Sequence, residues 1–435
     1  MKEMQINFFQ NAARMSAPRV CLIFALAVIG CGRSGEVQNG KTHIKLVHFN
    51  LDQNELWKKD VVEPFMQAHP GIEVETEAIP YGLYTTKIES AAASGSSLGD
   101  VVLIDDWYAQ ELFKRNYTIP IQPFYHRDFN DSNFFAQFFG VWRGGTDKMM
   151  MALPASSGVT VLFYNKELFD KAGVKYPDST WTYHDMLAAA HKLTNNATNP
   201  AEKTWGLLLD DGLFTGVDTY LYSNGGAILS EDNTHGAMSR PESMSAVQSY
   251  VDLIQKEHVA PPPDPSQTLG QRFLQGRCAM MLMIDFAKTE LAHAIFKWDI
   301  AVPPTGSTGR LSRQNGQAFG ITKQCEHPDS AWELLKYIVT LPTKKGVNEL
   351  FRSAMPMYKP LALSPEYLDG EPKCNRRAMF QTSNGVFTLI TPGWQEWRDH
   401  GFDPHMQEMM AGRETVAEGC KAIDAKIDEV LGRNR

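Results

Sequence analysis

The chain has 435 residues, a formal net charge of −8 and no basic run, which excludes a nucleic-acid surface built from clustered Lys and Arg. Apolar residues make up 43% and aromatic residues 11%. Roughly 400 residues follow the N-terminal segment, more than one core usually supports, so two domains are expected.

The first element is an apolar run, Val20–Gly30, with Arg14 and Arg19 before it and Cys31 at its end. It is shorter than the about 20 residues a transmembrane helix needs, so residues 1–30 read as a signal peptide. The stretch Val28-Ile29-Gly30-Cys31 resembles the bacterial lipobox. That resemblance implies a lipid on Cys31, a polar tether over 31–41, and a body held to a membrane in the periplasm or at the cell surface. A buried N-terminal helix with an incidental cysteine is the alternative. Met1–Ser16 is long for a leader's charged region, and Met15 offers a second start.

Residues 43–50 (HIKLVHFN) read as a first buried strand. In 55–71, Leu56, Val61, Val62, Phe65 and Met66 share a face, and Pro70-Gly71 stop the helix they imply. Residues 72–79 alternate as a strand, 83–95 form a helix, 100–105 a buried strand and 106–117 another helix. The pattern returns with a strand over 158–165 and a helix over 166–173 closed by Gly173. Thr182 is placed to cap the next helix, with Trp181 and Met186 at staple spacing. The proline-rich stretch 260–268 reads as a connector, and Ser330 and Glu333 have capping-box spacing at the head of a helix running to Thr340. Strands alternating with helices argue for an α/β architecture with a parallel sheet. Cys278 lies in an apolar strand, and Cys420 lies on a helical stripe with Val416, Ile423, Ile427 and Val430. Both read as buried thiols, while pairing of Cys325 with Cys374 is left open.

Several segments, in order, resemble one family. They are FMQAHPGIEVETEAIPY, AAASGSSLGDVVLID, MMMALPASSGVTVLFYNKELFDKAGV, TWTYHDML, YSNGGAIL, FLQGRCAMMLMIDF, HPDSAWELLKYIVT and AGRETVAEGCKAI. Together they look like the carbohydrate-type extracellular solute-binding proteins of bacterial ABC importers, the group containing maltose-binding protein. The resemblance implies a two-lobed α/β fold, each lobe a mixed sheet flanked by helices, joined by three crossing strands near Leu153–Ser156, Asn315–Ala318 and Ala354–Tyr358. The N-terminal lobe would comprise 42–153 plus 319–354, and the C-terminal lobe 154–318 plus 355–435. It further implies a monomer that binds a sugar or oligosaccharide in the cleft and delivers it to an ABC permease in the inner membrane, without cofactor or metal.

A sugar presents hydroxyl rims and apolar C–H faces, so its pocket needs acids, amides and aromatic planes at strand ends. Asp105, Asp106 and Trp107 follow the buried strand, where the family places a ligand-contacting acid; helix capping is the other role open to Asp106. His48 and Asn50 occupy the first strand-end loop, unless that loop is a plain surface turn. Where the family carries a Gly-x-Trp, this chain has Ile284, Asp285 and Phe286, so Phe286 is either a smaller platform or core. Tyr222 and Asn224 precede a glycine turn, Gln317 lies on a crossing strand, Ser156 lies just past the first crossing, and Trp394 sits where the family has a sugar-facing aromatic.

An enzyme reading finds little support. Gly95-Ser-Ser-Leu-Gly99 fits G-x-S-x-G, but with a helix before and a strand after, the reverse of a nucleophile elbow. No HExxH, CxxC, P-loop or EF-hand loop occurs. A secreted carbohydrate-active enzyme with paired carboxylates stays open as an alternative. So does the same receptor carrying a polyol or phosphorylated solute, for which Arg310, Arg313 and Arg352 are candidate donors.

Overall fold

The computed structural model describes residues 40–49, 54–195, 197–199, 202–213, 216–264, 266–342, 344–382, 386–387, 389 and 391–433. The apolar run, Cys31 and Asn50 lie outside the described residues. Among the described residues no helix is long and apolar enough to cross a membrane.

Strands β1 (Thr42–His48), β2 (Ile72–Ala78) and β3 (Val101–Asp105) begin the chain. A short hairpin, β4 (Arg143–Gly144) and β5 (Met149–Met150), precedes the long β6 (Leu153–Asn165). Then come β7 (Trp205–Leu208), β8 (Cys278–Ile284), β9 (Trp298–Ala301), β10 (Ser312–Ile321), β11 (Met355–Pro356) and β12 (Val386–Phe387). The main sheet runs β2-β1-β3-β10-β6-β8-β7, with β9 and β11 on β6 and β12 on β10. It is mixed, not the parallel sheet that strand–helix alternation suggests. The pairs β1–β2, β1–β3 and β7–β8 are parallel, but β3–β10, β10–β6 and β6–β8 are antiparallel. The cause is that β6 and β10 are long enough to serve both halves of the molecule. Gln317–Ile321 pair with β3 in one half, and Thr160–Tyr164 of β6 pair with β8 in the other. Between them, Gln314–Phe319 pair with Leu153–Val159, and Met355–Pro356 add to Ser156–Ser157. Three strands therefore cross between two lobes.

All of β6 is buried, and its two faces feed different cores. Val161 and Phe163 join Met281 and Met283 in one apolar cluster, while Leu162 and Tyr164 join Met280 and Leu282 in the other. That is the period of two expected of a strand covered on both sides. Each fully buried Val, Leu, Phe or Met contributes about 1.5–3 kcal/mol. Thr160, polar inside β6, is paired: Ser312 Oγ accepts from its N–H (2.8 Å), and Thr219 Oγ1 donates to its Oγ1 (2.9 Å).

Six helices matter below: α1 (Tyr81–Ser94), α2 (Asp106–Lys114), α3 (Tyr183–Leu193), α4 (Val217–Ser223), α5 (Pro328–Thr340) and α6 (Val416–Arg433). Thr182 caps α3 in a reciprocal box with Asp185, as its spacing suggests. Helix α5 instead starts at Pro328, so Ser330 and Glu333 lie inside it and form no box; proline, lacking an N–H, suits the first turn. The helix expected over 55–71 is two α-helical pieces around a π-turn at Lys58–Val62. All four described cysteines are free, so Cys325 and Cys374 do not pair, and Cys278 and Cys420 are buried thiols.

Candidate functional site

β3 ends at Asp105 and the chain turns at once into α2, which places Asp105, Asp106 and Trp107 at a strand's carboxyl end. Asp105 precedes the helix but makes no capping bond with its side chain. Its Oδ2 accepts from Tyr81 Oη (2.8 Å), and Tyr81 Oη accepts from Trp107 Nε1 (2.9 Å). Tyr81 is 47% exposed, so this chain of bonds opens onto the surface. Burial pushes the Asp105 carboxyl up to about 6, against the lowering effect of Tyr81, Gln317 and Trp107. Gln317 is its strand partner on β10.

Asp106 does not cap α2 either. It is fully buried, and its Oδ2 accepts from Gly316 N (3.0 Å), which ties the start of α2 to a crossing strand. Burial pushes its carboxyl up to about 7, opposed by the Arg313 guanidinium and reinforced by Asp105. Arg313, also buried, bonds Asp218 of α4 through Nη1 (3.3 Å). Burial pushes Arg313 down to about 10, while Asp218 and Asp106 act to raise it. The guanidinium thus pairs with Asp218 and acts electrostatically on Asp106.

Trp394 comes from the C-terminal part of the chain and packs in the second of the two apolar clusters. Gly393, at φ +71°, turns the chain into the helical stretch Trp394–Trp397, which continues through a π-turn, Arg398–Phe402, into Asp403–Met410. The Trp394 and Trp107 rings meet edge to face at 5.9 Å. Arg398 lies over the Trp394 ring at 4.9 Å and is itself paired with Asp399 (2.6 Å) and Asp403 (3.7 Å). Asp403 is pushed up to about 6 by burial.

The structure therefore brings Asp105, Asp106, Trp107, Gln317 and Trp394 together, with Tyr222 adjoining through the field of Asp218 and Arg313. Ser156 pairs with Gln317 and Pro356 at the crossing and is buried. Other candidates have structural duties. His48 is no surface turn residue: it is fully buried and stacked on Trp57 at 4.9 Å, and burial lowers its imidazole to about 4. Asp285 is fully buried, with Oδ1 accepting from Val159 N (3.0 Å) and Oδ2 from Lys288 Nζ (2.6 Å). Both of its oxygens are engaged inside the protein. Asn224 Nδ2 donates to Tyr220 O (2.9 Å), closing α4. Phe286 is 44% exposed, so it is not core, and no ring contact among the described residues joins it to either tryptophan. Arg310 donates to Pro303 O, Ser179 O and Thr305 Oγ1, which uses it in holding a loop. Reading the sequence alone missed Tyr81, Asp218 and Arg398. Tyr81 follows β2 in Ile79-Pro80-Tyr81, an aromatic at a strand end, the one signal in the sequence that marks it.

Residues 50–343 match the family described as bacterial extracellular solute-binding protein. A binding protein of Brucella abortus is 22% identical over 426 residues, covering 94% of this chain and 97% of that one. The arabinooligosaccharide-binding protein of Bacillus subtilis is 22% identical over 333 residues, 73% of each chain. The solved structure of an ABC substrate-binding protein from Listeria monocytogenes in complex with cycloalternan superposes with a TM-score of 0.72 at 23% identity, covering 90% of this chain and 99% of that one. At such identity the superposition speaks to the fold, and the fold is the two-lobed one.

Proposed function

From its membership of the bacterial extracellular solute-binding protein family, to which this chain belongs, we propose that it is the sugar receptor of an ABC importer. Its cargo is a neutral sugar or oligosaccharide held between lobes 42–153 plus 319–354 and 154–318 plus 355–435. The observation that carries the reading is the meeting of Trp107 and Trp394, one from each lobe, beside the Tyr81–Asp105–Gln317 cluster. Aromatic faces suit sugar C–H surfaces, and carboxylates and amides suit hydroxyls. The cargoes named for two relatives, arabinooligosaccharide and cycloalternan, are both oligosaccharides and support the same class. The family is one of solute-binding proteins, and the reverse order around Ser96 and Ser97, helix before and strand after, supports a binding role over a nucleophile elbow here.

The receptor is exported and held by lipid on Cys31, within reach of its permease, and it works as a monomer. Melting curves with mono- and oligosaccharides and polyols test the cargo, since a ligand of the folded state raises the melting temperature. At least one neutral saccharide should do so and survive incubation unchanged. A rise only with phosphorylated solutes, or the appearance of hydrolysis products, overturns the assignment.

A further inference from the structure

On the other face of the crossing strands lies a cavity of about 820 Å³. Side chains alternate along β10: Arg313 and Gln317 face the tryptophan site, and Gln314 faces away. Gln314 is 3% exposed and lines the cavity, as do Gln110 and Lys114 from α2 and Arg143 and Lys148 from the β4–β5 hairpin. The volume is that of a ligand pocket.

Its charge is one-sided. Every charged residue in its lining, Lys114, Arg143 and Lys148, is a cation, in a chain whose net charge is −8. Among the described residues none of the three joins an ion pair, whereas Arg115 beside them is committed to Glu111 (2.6 Å). The wall is built rather than loose. Gln110 Nε2 donates to Val141 O (2.6 Å) and Arg143 O (3.0 Å), locking α2 to the hairpin. Gly144 packs so closely that a Cβ there would meet Phe113 Cβ at 2.8 Å.

We propose that this cavity is a second ligand site, for a small anionic solute bearing a phosphate or carboxylate group. Three cations without a carboxylate partner among the described residues, set around Phe113, Phe138 and Val141, attract negative charge. Arg143 Nη1 makes only long bonds to Gln122 Oε1 and Lys148 O (3.5 Å each), and the amide of Gln314, whose Nε2 reaches Phe138 O at 3.5 Å, adds a neutral hydrogen-bonding group. The site is separate from the tryptophan pair, so the proposal does not depend on the cargo assigned there.

Citrate, inorganic phosphate and glucose 6-phosphate, with glucose as the uncharged control, are titrated into the full chain at low salt. At least one anion should bind saturably and weaken as salt is raised, as expected for contacts between exposed charges. Amide hydrogen exchange should slow in 110–116 and 137–148. A Lys114→Gln, Lys148→Gln double variant should bind the anion at least tenfold more weakly with an unchanged melting temperature. Three results each overturn the proposal: no saturable binding by any anion, binding that survives the double substitution, or protection confined to 105–107 and 394–398. The last would mark an anionic cargo in the tryptophan site instead.

Discussion

Trp107 and Trp394 differ in how much structure depends on them. Trp107 is half-buried, whereas Trp394 is 7% exposed beneath Trp107 and Arg398. Trp107→Ala should therefore weaken sugar binding at least tenfold, about 1.4 kcal/mol, with little change in melting temperature. Trp394→Ala should weaken binding and also cost about 3–5 kcal/mol of stability, as a buried aromatic does when truncated. Calorimetry and melting curves on both variants check this; full affinity in Trp107→Ala removes that residue from the site. Asp106 offers a different readout. Its carboxyl ionises near 7 in the folded chain and near 3.8 in the unfolded one. Between those values the native state keeps a proton that the unfolded state has released, so this group lowers stability as pH rises across the window. Asp106→Asn, which retains an acceptor for Gly316 N, should flatten the fall in melting temperature from about pH 4 to about pH 7. Parallel slopes for variant and wild type would sink that assignment.

At the scale of elements, the turn after β8 is the junction that binds the third crossing to the rest. Lys288 is fully buried, and its Nζ reaches Asp285 Oδ2 (2.6 Å) and Ser353 O (2.7 Å). Asp285 in turn holds Val159 N of β6 (3.0 Å). One ion pair therefore joins β8, β6 and the segment leading into β11. Lys288→Met leaves an uncompensated carboxylate in the interior and should cost about 3–5 kcal/mol. Adding Asp285→Asn, which removes the charge but can still accept from Val159 N, should recover part of that loss. Denaturation of the single and double variants decides it. Equal stability of the two would show that charge compensation is not what the pair supplies.

For the whole molecule, two lobes on three strands should close on their cargo by rotation within a few residues. The backbone near Leu153, Ala318 and Met355 is where that rotation should concentrate. Small-angle scattering should show a smaller radius of gyration with saturating saccharide than without it. An unchanged radius with a ligand of demonstrated tight binding would count against closure. Attachment is read separately. If the proposed lipid on Cys31 carries the attachment, a Cys31→Ala protein should leave the detergent phase that the wild-type chain enters, since several acyl chains on one residue are enough for stable anchoring. Equal partitioning of the two would remove the lipid assignment.

Sequence alone determined what depends on near neighbours. The cap at Thr182, the buried stripe of α6 and the apolar run of β8 are all spacings of a few residues, and each set its element without help from elsewhere. The order of the motifs, by resemblance, also pointed to the family. Part of the proposed tryptophan site was legible too: Asp105 and Trp107 stand at a strand end, where acids and aromatics can be found by position, whereas Trp394 was reached only through the family resemblance. Tertiary structure alone decided which side chains stay accessible. His48 and Asp285 stand at strand ends like Asp105, yet Trp57 covers one and Lys288 neutralises the other. It also decided that Arg313 meets Asp218, 95 positions away. Burial, desolvation and ion pairing are set by what packs across a strand from distant parts of the chain, and local spacing carries no record of that partner.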